Sequence, residues 1–86
     1  MNIQFTPTGW AEFQELLTLD RKLFIRTTDL IDAVSRDPFK GIGKPEPLRH
    51  HLAGCWSRRI NNRHRLVYKV EGDALLILNC LFHYGE

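Results

Sequence analysis

The sequence predicts an α+β fold of order β-α-α-β-β-β: a mostly antiparallel sheet with two N-terminal helices packed on one face. Three observations lead there. Apolar residues recur at helical spacing up to Asp37, they alternate at strand spacing after Trp56, and a Gly- and Pro-rich stretch separates the two regimes. At 86 residues the chain is predicted to form one small domain, 1–86, near the lower end of what folds alone. No internal repeat or low-complexity tract is visible.

Asn2 to Phe5 reads as a short strand. Thr6-Pro7 then starts a helix, because Thr can cap and Pro fits the first helical position. Trp10, Phe13, Leu16 and Leu17 follow on what reads as one apolar face. Asp20 caps a second helix with Leu23, Thr27, Leu30, Ile31 and Val34 along one stripe. That helix stops at Asp37-Pro38, since the residue before a proline disfavours helical backbone. The loop from Phe39 to Leu48 contains Pro45-Glu46-Pro47, whose prolines restrict the backbone around Glu46 and favour an extended conformation. Trp56 to Ile60 is the next strand, Asn61-Asn62 a turn, and His64 to Val70 a strand with Leu66, Tyr68 and Val70 on one face. Glu71-Gly72-Asp73 turns the chain into a last strand, Ala74 to Cys80, apolar almost throughout.

Charge is unevenly distributed. Lys40, Lys44, Arg49, Arg58, Arg59, Arg63 and Arg65 lie in 26 residues with one acid, Glu46, so the segment carries +6. The remaining five basic and nine acidic residues sum to −4, so a net charge of +2 conceals the contrast. Such a local field attracts a polyanion, of which nucleic-acid backbone is the commonest. Other classes are disfavoured. Asn2 to Phe5 is too short for a signal peptide. No apolar run nears the ~20 residues of a membrane helix. Cys55 and Cys80 make no disulfide framework and read as buried thiols of a reducing cytoplasm. No metal site is expected, because zinc needs about four ligands and no Cys-x-x-Cys or His-x-x-x-His pair is present. The adjacent His50 and His51 would point to opposite sides of an extended strand, and with His64 they read as structural or peripheral.

One carboxylate inside a cationic surface, with His83 and Tyr84 near the chain end, matches what acid–base chemistry on a phosphodiester needs. RNA carries its own nucleophile, the 2′-hydroxyl. A base must take its proton, a cation must neutralise the phosphorane, and an acid must protonate the departing 5′ oxygen. Each proton transfer is typically worth ~10²–10⁴ in rate. A histidine titrating near its ordinary ~6.5 suits an acid at neutral pH. The bland readings are a solvated Glu46 paired with a nearby arginine, a solvent-facing Arg65, and a surface His83 and Tyr84. Arg58 and Arg59 alternate on a strand, so one faces the cleft, and Arg59 is the choice. Trp10 and Trp56 read as core or interface.

Gly43-Lys44-Pro45-Glu46-Pro47-Leu48, Trp56-Ser57-Arg58-Arg59-Ile60, His64-Arg65-Leu66-Val67-Tyr68 and His83-Tyr84 resemble, in order and spacing, the YoeB/Txe family of toxins in the RelE superfamily. The resemblance covers the whole chain. It implies a RelE-like microbial RNase fold and a type II toxin that cleaves mRNA in the ribosomal A site without a cofactor. It also implies a Phd/YefM-type antitoxin, operator DNA reached only through the antitoxin complex, and a possible homodimer, with no membrane partner. It assigns Glu46 as general base, Arg65 as the phosphate-stabilising arginine, His83 as general acid and Tyr84 as the residue orienting substrate. Lys44, Arg49 and Arg59 are the expected RNA contacts. The chain departs from the family at Leu81 and Phe82, at Arg63 in place of a common acidic residue, and at Gly85-Glu86 after the His-Tyr pair. The competing expectation is a non-catalytic or degenerate RelE-fold toxin acting by occupancy of the ribosome or another target, or serving as its antitoxin's regulatory partner. A pure binder needs neither Glu46 nor His83.

Overall fold

Thr6 starts the first helix by a double action. Its side-chain oxygen accepts the Gly9 amide at 3.0 Å, and its hydroxyl lies 3.2 Å from the Leu78 carbonyl, tying the helix start to the last strand. In the computed structural model, which describes residues 1–82, strand β1 (Asn2–Phe5) leads into α1 (Pro7–Leu19) and α2 (Arg21–Arg36). Asp20 alone separates the helices. Its amide donates to the Leu16 carbonyl to close α1, while its carboxylate accepts the Lys22 amide to open α2. Asp37 ends α2 and accepts the amides of Phe39 and Lys40, folding the chain sharply away.

The rest is sheet: β2 (Glu46–Pro47), β3 (Trp56–Arg59), β4 (Arg65–Glu71) and β5 (Ala74–Phe82), with a 3-10 turn at His50–Leu52. The spatial order is β1-β5-β4-β3-β2, with β1 parallel to β5 and every other pairing antiparallel. The α+β class and the placement of both helices against one sheet face match the sequence reading.

Leu16, Leu30, Ile31 and Val34 from the helices pack against Leu66, Tyr68, Leu75, Ile77 and Cys80 of the sheet, all buried. A smaller cluster of Leu48, Cys55 and Val67 covers part of the other face, flanked by Leu52, Leu78 and Phe82. Both cysteines are buried free thiols. Among the described residues no helix is long and apolar enough to cross a membrane.

Details differ from expectation. Glu46-Pro47 forms a two-residue strand, too short to show any periodicity. β3 stops at Arg59, one residue before Ile60, and β5 runs two residues past Cys80. The larger correction concerns α1. Trp10 and Leu17 were expected on its buried face, yet both are 48% exposed, while Gly9 and Leu16 are buried. The helix meets β5 through the residue without a side chain: a Cβ on Gly9 would fall on the Ile77 carbonyl oxygen. Bulky apolar residues therefore mark the rim of this contact and a glycine its centre. Trp10 instead edges an aromatic group, its ring 5.3 Å from Phe5 and 6.0 Å from Phe13.

Candidate active site

The loop before β2 is held from beneath by Arg58. This side chain is fully buried on the helix side of β3. Its guanidinium donates to the main-chain carbonyls of Asp37 at 2.5 Å, Lys40 at 3.0 Å and Ile42 at 3.1 Å, and its Nε to the Tyr68 hydroxyl at 3.2 Å. Tyr68 in turn donates to the Pro38 carbonyl at 2.6 Å. Burial raises the Tyr68 phenol above its ordinary range, with the Arg58 hydrogen bond and charge opposing that shift. A buried cation needs such partners, since an uncompensated charge in the interior is costly. Segment 37–42 is thereby stapled to the sheet.

Gly43 continues the path. At φ 83 its backbone favours glycine, and a Cβ there would meet Leu30 Cδ2 at 2.7 Å. Its carbonyl accepts the Arg59 amide at 2.6 Å. Lys44 then adopts φ 51, a left-handed conformation that costs a non-glycine residue roughly 1–2 kcal/mol. The chain leaves this bend directly into Pro45-Glu46, and Glu46 pairs with Ser57 across β2 and β3.

Cross-strand pairing then assembles one face. Glu46 lies opposite Ser57, Ser57 opposite Val67, Arg59 opposite Arg65, and Arg65 opposite Phe82. Arg65 Nη1 stands 3.2 Å from Glu46 Oε1 and 3.4 Å from Ser57 Oγ. The Arg65 side chain is 15% exposed and that of Glu46 49%. The guanidinium is thus mostly enclosed, while the carboxylate keeps an open side. A proton acceptor and a fixed cation, side by side on an open sheet face, can respectively accept a hydroxyl proton and stabilise a phosphate.

Arg59 is half-buried on this same face, opposite to Arg58. Lys44 is exposed at the bend before Glu46. Arg49 is exposed on the excursion that leaves and rejoins the sheet where the Leu48 amide meets the Cys55 carbonyl at 2.9 Å. His83 and Tyr84 lie outside the described residues. Among the described residues no group of three or more His, Cys, Asp or Glu could hold a metal ion.

Two contributors were missed in the sequence. Ser57 touches Arg65, and strict alternation in Trp56-Ser57-Arg58-Arg59 would have put it on the face of Arg59. Glu12, on α1, accepts the amides of Cys80 and Leu81 and the Asn79 side chain. Nothing in the helix pattern marks it.

Known proteins agree with this architecture. A family model described as the YoeB-like toxin of bacterial type II toxin–antitoxin systems matches residues 5–84. A curated relative, the toxin YoeB of Synechocystis sp., is 52% identical over 84 residues, covering 98% of this chain and 98% of its own. Among solved structures, the YoeB dimer from Staphylococcus aureus superposes with a TM-score of 0.90 at 38% identity, covering 98% of each chain. The heterotetrameric YoeB–YefM toxin–antitoxin complex of the same organism superposes with a TM-score of 0.87, again at 38% identity and 98% of each chain.

Proposed function

The chain belongs to the YoeB-like toxins of bacterial type II toxin–antitoxin systems, and on that footing we propose that it is a ribosome-dependent endoribonuclease that cuts mRNA in the A site and so stops translation. The observation that carries the reading is the Glu46–Arg65 contact at 3.2 Å on an open sheet face. Phe82, paired with Arg65, precedes His83 by one peptide bond.

In the proposed reaction Glu46 takes the proton of the 2′-hydroxyl as its oxygen attacks the adjacent phosphorus. Arg65 neutralises the charge that grows on the phosphorane oxygens. As the bond from phosphorus to the 5′ oxygen breaks, His83 protonates that oxygen, leaving a 2′,3′-cyclic phosphate and a 5′-hydroxyl. Tyr84 orients the substrate, an aromatic ring on a base being worth about 1–3 kcal/mol. Lys44, Arg49 and Arg59 hold the RNA backbone. RNA supplies the nucleophile, so no cofactor is invoked. The ribosome presents the codon, supplying orientation that so small a protein cannot impose alone.

The partner proposed for this chain is a YefM-like antitoxin, as in the S. aureus complex. An acidic, initially disordered segment would cover the site and offer carboxylates to Arg59 and Arg65. Operator DNA would be reached only through that complex, the toxin alone would be capable of forming a dimer, and the working compartment is the cytoplasm, where ribosomes are. Primer extension on a translated message, with and without ribosomes, tests the activity. Cuts within translated codons are expected only with ribosomes, and their absence there contradicts the reading.

A further inference from the structure

Strand β5 is irregular where it approaches the site. Tyr68 pairs with Ile77, Val67 with Asn79, and Arg65 with Phe82, so β5 carries one residue more than β4 in each of these two intervals. In the second interval Cys80 and Leu81 oppose Leu66 alone, which is the arrangement of a β-bulge. A bulge removes main-chain groups from the ladder, and buried amides need other acceptors. Glu12 provides one. Its Oε1 accepts the Cys80 amide at 2.9 Å, the Leu81 amide at 3.2 Å and the Asn79 Nδ2 at 3.2 Å. The carboxylate sits one turn beyond Gly9, the point where α1 touches β5, and the Cys80 thiol lies 3.8 Å from the Gly9 carbonyl. Three donors on one carboxylate oxygen are charge-assisted hydrogen bonds, roughly twice as strong as neutral ones.

The bulge has a consequence for register. With one residue fewer, Leu81 rather than Phe82 would stand opposite Arg65, and such a one-residue slip exchanges the faces of Leu81 and Phe82. We propose that Glu12 is a positioning residue: by clamping the Cys80–Leu81 bulge it fixes the register of β5 up to Phe82, the residue bonded to His83. The proposal rests on the reading of His83 as general acid. Glu12 itself lies on α1, on the helix face of the sheet, and reaches β5 through two main-chain amides and the Asn79 side chain.

The test compares wild type, Glu12→Ala and Glu12→Gln by two readouts. The first is NMR titration of the His83 ring, assigned by its loss in His83→Gln, together with amide exchange at Cys80 and Leu81. The second is single-turnover cleavage of a ribosome-bound message. Glu12→Ala is expected to speed exchange at both amides, displace the His83 titration, and slow cleavage at saturating protein by about 100-fold with the half-saturating concentration little changed, a loss that a misplacement of about 1 Å can cause. Glu12→Gln keeps an oxygen acceptor and should recover most of both properties. Should Glu12→Ala not fold, Asn79→Ala carries the same test with a smaller displacement, because it removes one donor that aligns the carboxylate. An unchanged His83 titration in the folded variant overturns the proposal, as does a wild-type cleavage rate. If wild type itself does not cleave, the ribonuclease reading fails separately, and the His83 titration still decides whether Glu12 sets that end of the chain.

Discussion

At the scale of single residues, the Glu46–Arg65 pair contributes little to stability, since half-exposed ion pairs are worth about 0–1 kcal/mol. Under the proposed function its contribution is chemical, and kinetics should read it. With Glu46 as base and His83 as acid, single-turnover cleavage should follow a bell in pH. Glu46→Gln should remove the acid limb and His83→Gln the basic limb. Arg65→Lys should lose rate at every pH, because a point charge cannot reproduce a planar fork on phosphate. A basic limb retained in His83→Gln at full rate would assign the acid elsewhere. Cys80 offers a separate test of burial. Desolvation pushes its thiol up to about 12, with the Glu12 carboxylate adding to the shift. The folded thiol keeps its proton where the unfolded one, titrating near 9, has lost it. Stability from this group is thus fully present below pH ~9 and falls as pH rises toward the folded value, by up to about 1.4 kcal/mol per pH unit. Urea midpoints from pH 8 to 10.5 should decline more steeply in wild type than in Cys80→Ala. Equal slopes would mean that Cys80 is solvated.

At the scale of elements, the contact between α1 and β5 gives a sign-discriminating prediction. Replacing glycine by alanine within a helix ordinarily stabilises by about 1 kcal/mol. Gly9→Ala should instead destabilise by about 1–3 kcal/mol, because the new methyl meets the Ile77 carbonyl and the helix must lift from the sheet. Thermal unfolding decides it: a raised Tm would show that α1 does not sit this close. The same contact explains what was legible in the sequence. Both helices and the strands β1, β3, β4 and β5 were readable from period and turn chemistry, as were the caps Thr6 and Asp20. The buried stripe of α1 was not, because a pattern of large residues cannot reveal a contact made by Gly9. Strand β2 and the two irregularities of β5 were also invisible: two residues have no period, and a bulge breaks the alternation on which strand reading depends. At the site, alternation separated Arg58 from Arg59 but could not show that Arg58 is buried under the 37–42 loop. The resemblance assigned Glu46 and Arg65 to one reaction, but their direct contact, made by two strands that both flank β3, was not legible in the sequence.

At the scale of the whole molecule, the basic segment does two kinds of work. Arg58 is spent on main-chain carbonyls and is closed to any ligand, whereas Lys44 and Arg49 are exposed. Binding to RNA or to ribosomes should therefore weaken with salt, each lost phosphate contact reducing the log–log slope by about 0.7 for single strands. Lys44→Ala and Arg49→Ala should each lower that slope, and Arg21→Ala, on α2, should leave it unchanged. A slope indifferent to Lys44 and Arg49 would move the RNA path off this face. The measurement that bears most directly on the central claim uses a ribosome-bound message with a single 2′-deoxy nucleotide at the scissile position. Attack by the 2′-hydroxyl, with Glu46 as its base, requires that wild-type protein cut the all-RNA message to a 2′,3′-cyclic phosphate and leave the substituted one intact. Cleavage of the substituted message at the all-RNA rate would contradict the account.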